Sequence, residues 1–143
     1  MIIPDINLLL YAVITGFADH VRARSWWEAA LSGTEPIGLA SPVLFGFLRI
    51  STSGRVVQDP LSIDESLGYL REWLARPVVS MLPTTEDHVT VAFDLIRQVG
   101  VASNLTTDAQ IAAHALSQGA TVYSNDSDFA RFPRVDWVNP LRD

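Results

Sequence analysis

Short apolar runs separated by longer stretches of helical periodicity recur along this chain, and that alternation is what a parallel sheet with crossover helices requires. Ile2 and Ile3 open a buried strand ending near Asp5, and Val78 to Leu82 and Thr121 to Ser124 read as two more. Between them, Val21 to Leu31 carries Trp26, Trp27, Ala30 and Leu31 on one side of a helix. Ser41 before Pro42 reads as an N-cap with proline at the first helical position, opening a helix through Phe45, Leu48 and Arg49. Ser62 and Glu65 form a capping box for a helix that Pro77 stops, and Thr84 or Thr85 caps the next, through Val89, Ala92, Phe93 and Ile96. Thr107 and Gln110 form another capping box. They place Asp108 in the first turn of a helix whose Ala109, Ala112, Ala113 and Ala115 permit close packing on a sheet; Gly119 ends it, and residues 125–128 turn after the last strand.

Composition narrows the chemistry. At 143 residues and 48% hydrophobic, the sequence predicts one domain, 1–143, with a real core. Without cysteine it has no disulfide, thiolate zinc site or cysteine nucleophile. All its basic residues are arginine, which removes P-loop and Schiff-base chemistry, since both need a lysine amine. The apolar run Ile6 to Val13 falls far short of the ~20 residues that cross a bilayer, and no charged secretory leader precedes it. A soluble cytoplasmic protein with no membrane partner is the expectation. A net charge of -6 argues against passive nucleic-acid binding, unless a divalent metal ion brings its own positive charge to the phosphate.

The acids fall where such a sheet does its work. Ligands of open α/β sheets bind beyond the carboxyl ends of the strands, at a switch in strand order. Asp5 ends the first strand, Asp126 and Asp128 follow the Thr121 strand, and Asp108 starts the helix before it. Two carboxylates about 4 Å apart repel by roughly 4 kcal/mol at an effective dielectric near 20, so the cluster needs a cation, protonation or ample solvent. All-oxygen ligands select hard ions such as Mg2+ or Mn2+. Singly, Asp126 and Asp128 read equally as turn formers and Asp108 as a complement to the helix dipole. Asp5, between Ile3 and Ile6, is harder to dismiss because burial there costs desolvation.

Pro4-Asp5-Ile6-Asn7-Leu8-Leu9, Leu105-Thr106-Thr107-Asp108-Ala109-Gln110-Ile111, Ser124-Asn125-Asp126-Ser127-Asp128-Phe129 and Asn139-Pro140-Leu141, in this order and spacing, resemble PIN-domain ribonucleases, and more narrowly the VapC-type toxins of type II toxin-antitoxin pairs. The resemblance implies a three-layer α/β/α fold with a mostly parallel sheet, a homodimer, a Mg2+ or Mn2+ site, and hydrolysis of RNA, tRNA or rRNA, restrained by a cognate VapB-type antitoxin. By position it implies Asp5 and Asp108 as principal ligands and Asp126 as completing the acidic set. Asp128 would bind a second ion or orient a water, with Asn7 and Ser124 supporting the acids. The rival is a catalytically silent PIN domain that binds RNA or a protein partner.

One position departs from the pattern. Gly46 stands where such proteins usually carry a glutamate three residues before an arginine, here Arg49. We read Gly46 as a missing ligand beside the acidic pocket, against the alternative of a close backbone approach. Arg49 would grip a phosphate or pair with an acid. The spacing of His20, His88 and His114 brings no two together, so metal-free acid-base cleavage is disfavoured and each is given a surface or helix-packing role. Trp26, Trp27, Trp73 and Phe93 read as core or dimer interface before base-stacking platform.

Overall fold

A computed structural model describes residues 1–142. Five parallel strands form one sheet in the order β3-β2-β1-β4-β5: β1 Ile2–Pro4, β2 Ile37–Leu39, β3 Val79–Met81, β4 Thr121–Tyr123 and β5 Trp137–Val138. Six helices cover it: α1 Ile6–Val13, α2 His20–Ser32, α3 Ser41–Ser51, α4 Ile63–Leu74, α5 Glu86–Val99 and α6 Thr106–Gln118. The expected three-layer α/β/α architecture is what forms, with the sheet wholly parallel. Ile3, Ile37, Leu39 and Val122 are fully buried in it, as strands covered by helices on both faces require.

From β1 the chain builds outward through β2 to β3, then returns past β1 to lay down β4 and β5. The switch in strand order therefore falls between β1 and β4, the position that ligands of doubly wound sheets use. Pro4 sharpens that position. Ile2 N–H donates to Pro36 O on the β2 side, and Asp5 N–H donates to Tyr123 O on the β4 side. Pro4 would face β2 but has no N–H, so the β1–β2 register ends at Ile2↔Ile37 while β1–β4 continues through Pro4↔Tyr123. The ends of β1 and β4 stay together and deliver Asp5 and the segment after Tyr123 to one place.

Two caps differ from the sequence reading. Ser41 is the first helical residue of α3, not its cap; Ala40 is the cap and makes no side-chain bond. Pro42 then sits one position further in, where its missing N–H is still among the donors a helix start leaves unpaired. The Thr107/Gln110 capping box does not form, because a 3-10 turn at Ser103–Leu105 leads directly into α6 at Thr106, and Gln110 Nε2 donates instead to Thr106 O. Asp108 remains in the first turn. The Ser62/Glu65 box, the Thr85 cap and the left-handed Gly119 terminus form as expected.

Candidate functional site

Asp5 caps α1 while closing β1. Its Oδ1 accepts from Ile6 N–H at 2.7 Å, and its Oδ2 accepts from Ser124 Oγ at 2.7 Å and Asn7 Nδ2 at 3.2 Å. A carboxylate offers about four lone-pair positions, so three donors leave one, on Oδ1. Burial pushes the Asp5 acid up, against the lowering effect of the Ser124 and Ile6 bonds, and Asp126 adds repulsion.

Ser124 and Asn7, both bonded to Asp5, tie the two strand ends together. Ser124 Oγ also accepts from Asp126 N–H at 2.9 Å, and Asn7 Oδ1 accepts from Asn125 N–H at 3.3 Å. Asp126 then caps a 3-10 turn over Ser127–Arg131, its Oδ1 accepting from Asp128 N–H at 2.9 Å. The turn-forming and the acidic readings of Asp126 are both realised: the bond that shapes the turn holds the second acid beside the first.

Asp108 completes the cluster from the start of α6. Oxygens of Asp108, Asp126 and Asp128 lie within 4.8 Å of one another, close enough for one cation to touch all three. Asp5 lies outside that triad but near enough to act on it. Its charge, with those of Asp126 and Asp128, adds to partial burial in raising the Asp108 acid to about 7. Such crowding is relieved by positive charge, and the donor set is all oxygen, so the residues present fit a hard divalent ion. Asp128, which the resemblance gives a second ion or a water to orient, shares the triad with Asp108 and Asp126.

Gly46 is buried, and a Cβ there would run into Ile6 Cδ1, with Ile6 Cγ1 3.1 Å away. Ile6, the residue after Asp5, turns the end of its side chain into the space that a Cβ at 46 would take, and no backbone atom lies there, so the close backbone approach weighed against the missing-ligand reading is not what forms. Arg49 is exposed on the last turn of α3 and makes no ion pair among the described residues.

For the histidines one expectation requires correction, that no two come together, while the helix-packing role holds for His88 and His114. His88 on α5 and His114 on α6, twenty-six positions apart, stack with ring centroids 3.6 Å apart inside the helix pair. Spacing within one element could not show this, because the contact exists only once α5 packs on α6. Both are buried, with His88 Nδ1 and His114 Nε2 lacking hydrogen-bond partners. Burial lowers both, and for His114, with the neighbouring ring adding to it, the value falls to about 4. They are neutral packing groups in the helix pair. His20 Nδ1 bonds to Tyr11 O. Trp27 and Trp73 are core, in edge contact at 5.6 Å, and Trp26 stacks on Tyr123, while Phe93 is 66% exposed.

Residues given no role by the sequence lie beside the acids. Asn139 Nδ2 donates to Asn125 Oδ1 at 3.0 Å, and Trp137 Nε1 donates to Ser124 O at 3.0 Å, bracing the loop that carries Asp126.

Comparison with known proteins agrees with this geometry. The PIN domain family matches residues 2–135. The chain is 51% identical over 143 residues, all of both proteins, to Ribonuclease VapC33 of Mycobacterium tuberculosis. It is 36% identical over 140 residues to Ribonuclease VapC37 of the same organism, covering 98% of this chain and 97% of the relative. In fold it matches the M. tuberculosis toxin VapC20, described as cleaving the sarcin-ricin loop, with a TM-score of 0.70 at 21% identity over 95% of this chain and 99% of that one. It matches the Rickettsia felis VapBC2 structure at a TM-score of 0.68 and 21% identity, over 97% of this chain and 98% of that one. The chain belongs to the PIN-domain family, among its VapC ribonucleases.

Proposed function

We propose that this protein is a Mg2+- or Mn2+-dependent endoribonuclease, the toxin of a toxin-antitoxin pair, acting through one PIN domain that spans residues 1–143. The observation that carries this reading is the convergence of Asp108, Asp126 and Asp128 oxygens within 4.8 Å, at the switch between β1 and β4, with Asp5 alongside. The three triad acids would hold the ion, and Asp5 would contribute its remaining lone pair or its charge. An ion held there would supply positive charge for the scissile phosphate and acidify an attacking water.

The chain's own residues do the positioning. Ser124 and Asn7 fix Asp5, and the Asp126 turn fixes Asp128, so the carboxylates need little rearrangement on loading. Attack by water, without use of the neighbouring 2'-hydroxyl, leaves 5'-phosphate and 3'-hydroxyl ends. Structured RNA, tRNA or rRNA, is the substrate class. A VapB-type antitoxin is the partner; solved relatives include toxin-antitoxin complexes such as one from Klebsiella pneumoniae. The assembly is a homodimer, which would cover exposed apolar side chains such as Phe45 or Phe93.

Purified protein freed of partner should cleave RNA when Mn2+ or Mg2+ is added and stop when EDTA is added. Cleavage that persists in EDTA would overturn the metal mechanism. No helix is long and apolar enough to cross a membrane among the described residues.

A further inference from the structure

The acidic triad accounts for bond cleavage but offers nothing to hold a nucleotide, and its charge repels the strand it must cut. Next to it, on the outer side of the Asp126 turn, an open cleft of about 680 Å³ is lined by Asn125, Ser127, Trp137, Val138, Asn139 and Arg142. That volume falls within the range of small-ligand sites. Asn125 and Ser127 flank Asp126 in the chain, so the cleft and the acids share one loop.

The cleft is braced. Trp137 is half-buried with its indole N–H committed to Ser124 O, which fixes the ring. Asn139 donates to Asn125 Oδ1 and, through its own Oδ1, accepts from Leu141 N–H at 3.0 Å. Arg22 Nη1 holds Leu141 O at 2.8 Å, and Leu141 itself is buried, so the terminal segment is anchored on both sides. These bonds leave the Asn125 amide N–H groups without a partner among the described residues. Arg142 is exposed and has no carboxylate partner among those residues, in a chain whose net charge is -6.

A fixed aromatic ring, a carboxamide donor and an exposed guanidinium are the three elements that single-stranded RNA recognition combines: stacking, base-edge hydrogen bonding and phosphate neutralisation. We propose that this cleft is a nucleotide subsite, seating one unpaired base of the RNA against Trp137 and Asn125 with Arg142 on an adjoining phosphate. It rests on the ribonuclease reading and deepens it. The subsite holds the strand across the Asp126 loop, offsetting the repulsion of the acids and setting which phosphate meets them.

The test uses the full chain and a fluorescein-labelled single-stranded oligoribonucleotide in EDTA, where binding is read without cleavage. Arg142→Ala should weaken binding several-fold at low salt and reduce the steepness of its log-log salt dependence by about 0.7, the value of one phosphate contact to a single strand. Arg142→Lys should keep that steepness, and Arg97→Ala, an exposed arginine on the last turn of α5, should leave both unchanged. RNA should quench tryptophan emission in the wild type and quench it less in Trp137→Phe. In Mn2+, Arg142→Ala should raise KM more than it lowers kcat. A protein that cleaves RNA yet shows unaltered affinity, salt dependence and KM in Arg142→Ala overturns the subsite alone. A variant that loses antitoxin binding while keeping RNA binding overturns it in favour of a protein interface. A wild type that cleaves no RNA with either ion removes the ribonuclease reading and the subsite with it.

Discussion

Neutralising Asp108 should make the metal-free protein more stable while disabling its site. Its acid lies at about 7 in the folded chain, against 3.8 for the ordinary group. The folded state therefore binds more protons than the unfolded one between those values, and stability falls as pH rises through that window. A displacement of about three pH units corresponds to roughly 4 kcal/mol at full ionisation. Because Asp108 is only half-buried, solvent screening reduces this, and about 2 kcal/mol is the working figure. Asp108→Asn keeps the shape and removes the charge, so at pH 8 in EDTA its Tm should exceed that of the wild type by roughly 4–8 °C. The gain should shrink to less than half near pH 5 and vanish below pH 4. Divalent ions should reverse the order, since an ion held at one hundred times its Kd adds about 2.7 kcal/mol to the wild type and less to the variant. Thermal melts at several pH values, with and without Mn2+, read all of this. An Asp108→Asn protein less stable than the wild type at pH 8 in EDTA, or a gain independent of pH, would refute the reasoning.

Other perturbations have equally definite signs. His114 lies at about 4 folded against 6.5 unfolded, so its contribution is whole above pH 6.5 and is lost as pH falls towards 4, about 3 kcal/mol in all. In an Asp108→Asn background, where the opposing carboxylate is silent, His114→Phe should flatten that acid limb in urea titrations. At Gly46, alanine gains about 1 kcal/mol of helix propensity against the cost of moving the end of Ile6, so Gly46→Ala should change stability by no more than about 1 kcal/mol. Gly46→Glu should cost more than about 2 kcal/mol, and Ile6→Ala should soften that loss in a double-mutant cycle. Asp128→Asn should lower cleavage about as much as Asp126→Asn, because both share the triad with Asp108; a much smaller loss at Asp128 would place it outside the ion's reach.

The acids were legible in the sequence because each sits at an element boundary, and boundaries of an α/β chain map directly onto the carboxyl edge of its sheet. Asn7 and Ser124 entered only through the family resemblance, and in the structure both hydrogen-bond Asp5. Strands β2 and β5 were not legible. β2 is three residues with Gly38 at its centre, where a Cβ would come within 2.8 Å of Leu82, so the sheet's need for closeness hides as a turn signal. β5 is two residues long, too short for any period. The His88–His114 stack and the Ile6–Gly46 contact are tertiary: each joins positions on different elements, and neither leaves a trace in local spacing. The Trp137 to Arg142 cleft was missed for the same reason, since β5 brings it to the Asp126 loop only through strand pairing with β4.

The central claim is that the carboxylate cluster works by holding a divalent ion. Titrating Mn2+ into metal-free protein at pH 8, while measuring both bound ion and the rate of RNA cleavage, tests it most directly. The account predicts that cleavage rises with the same half-saturation as binding, and that Asp108→Asn and Asp126→Asn weaken both together by at least about tenfold. Cleavage that proceeds before any ion is bound, or ion binding untouched by either substitution, would contradict it.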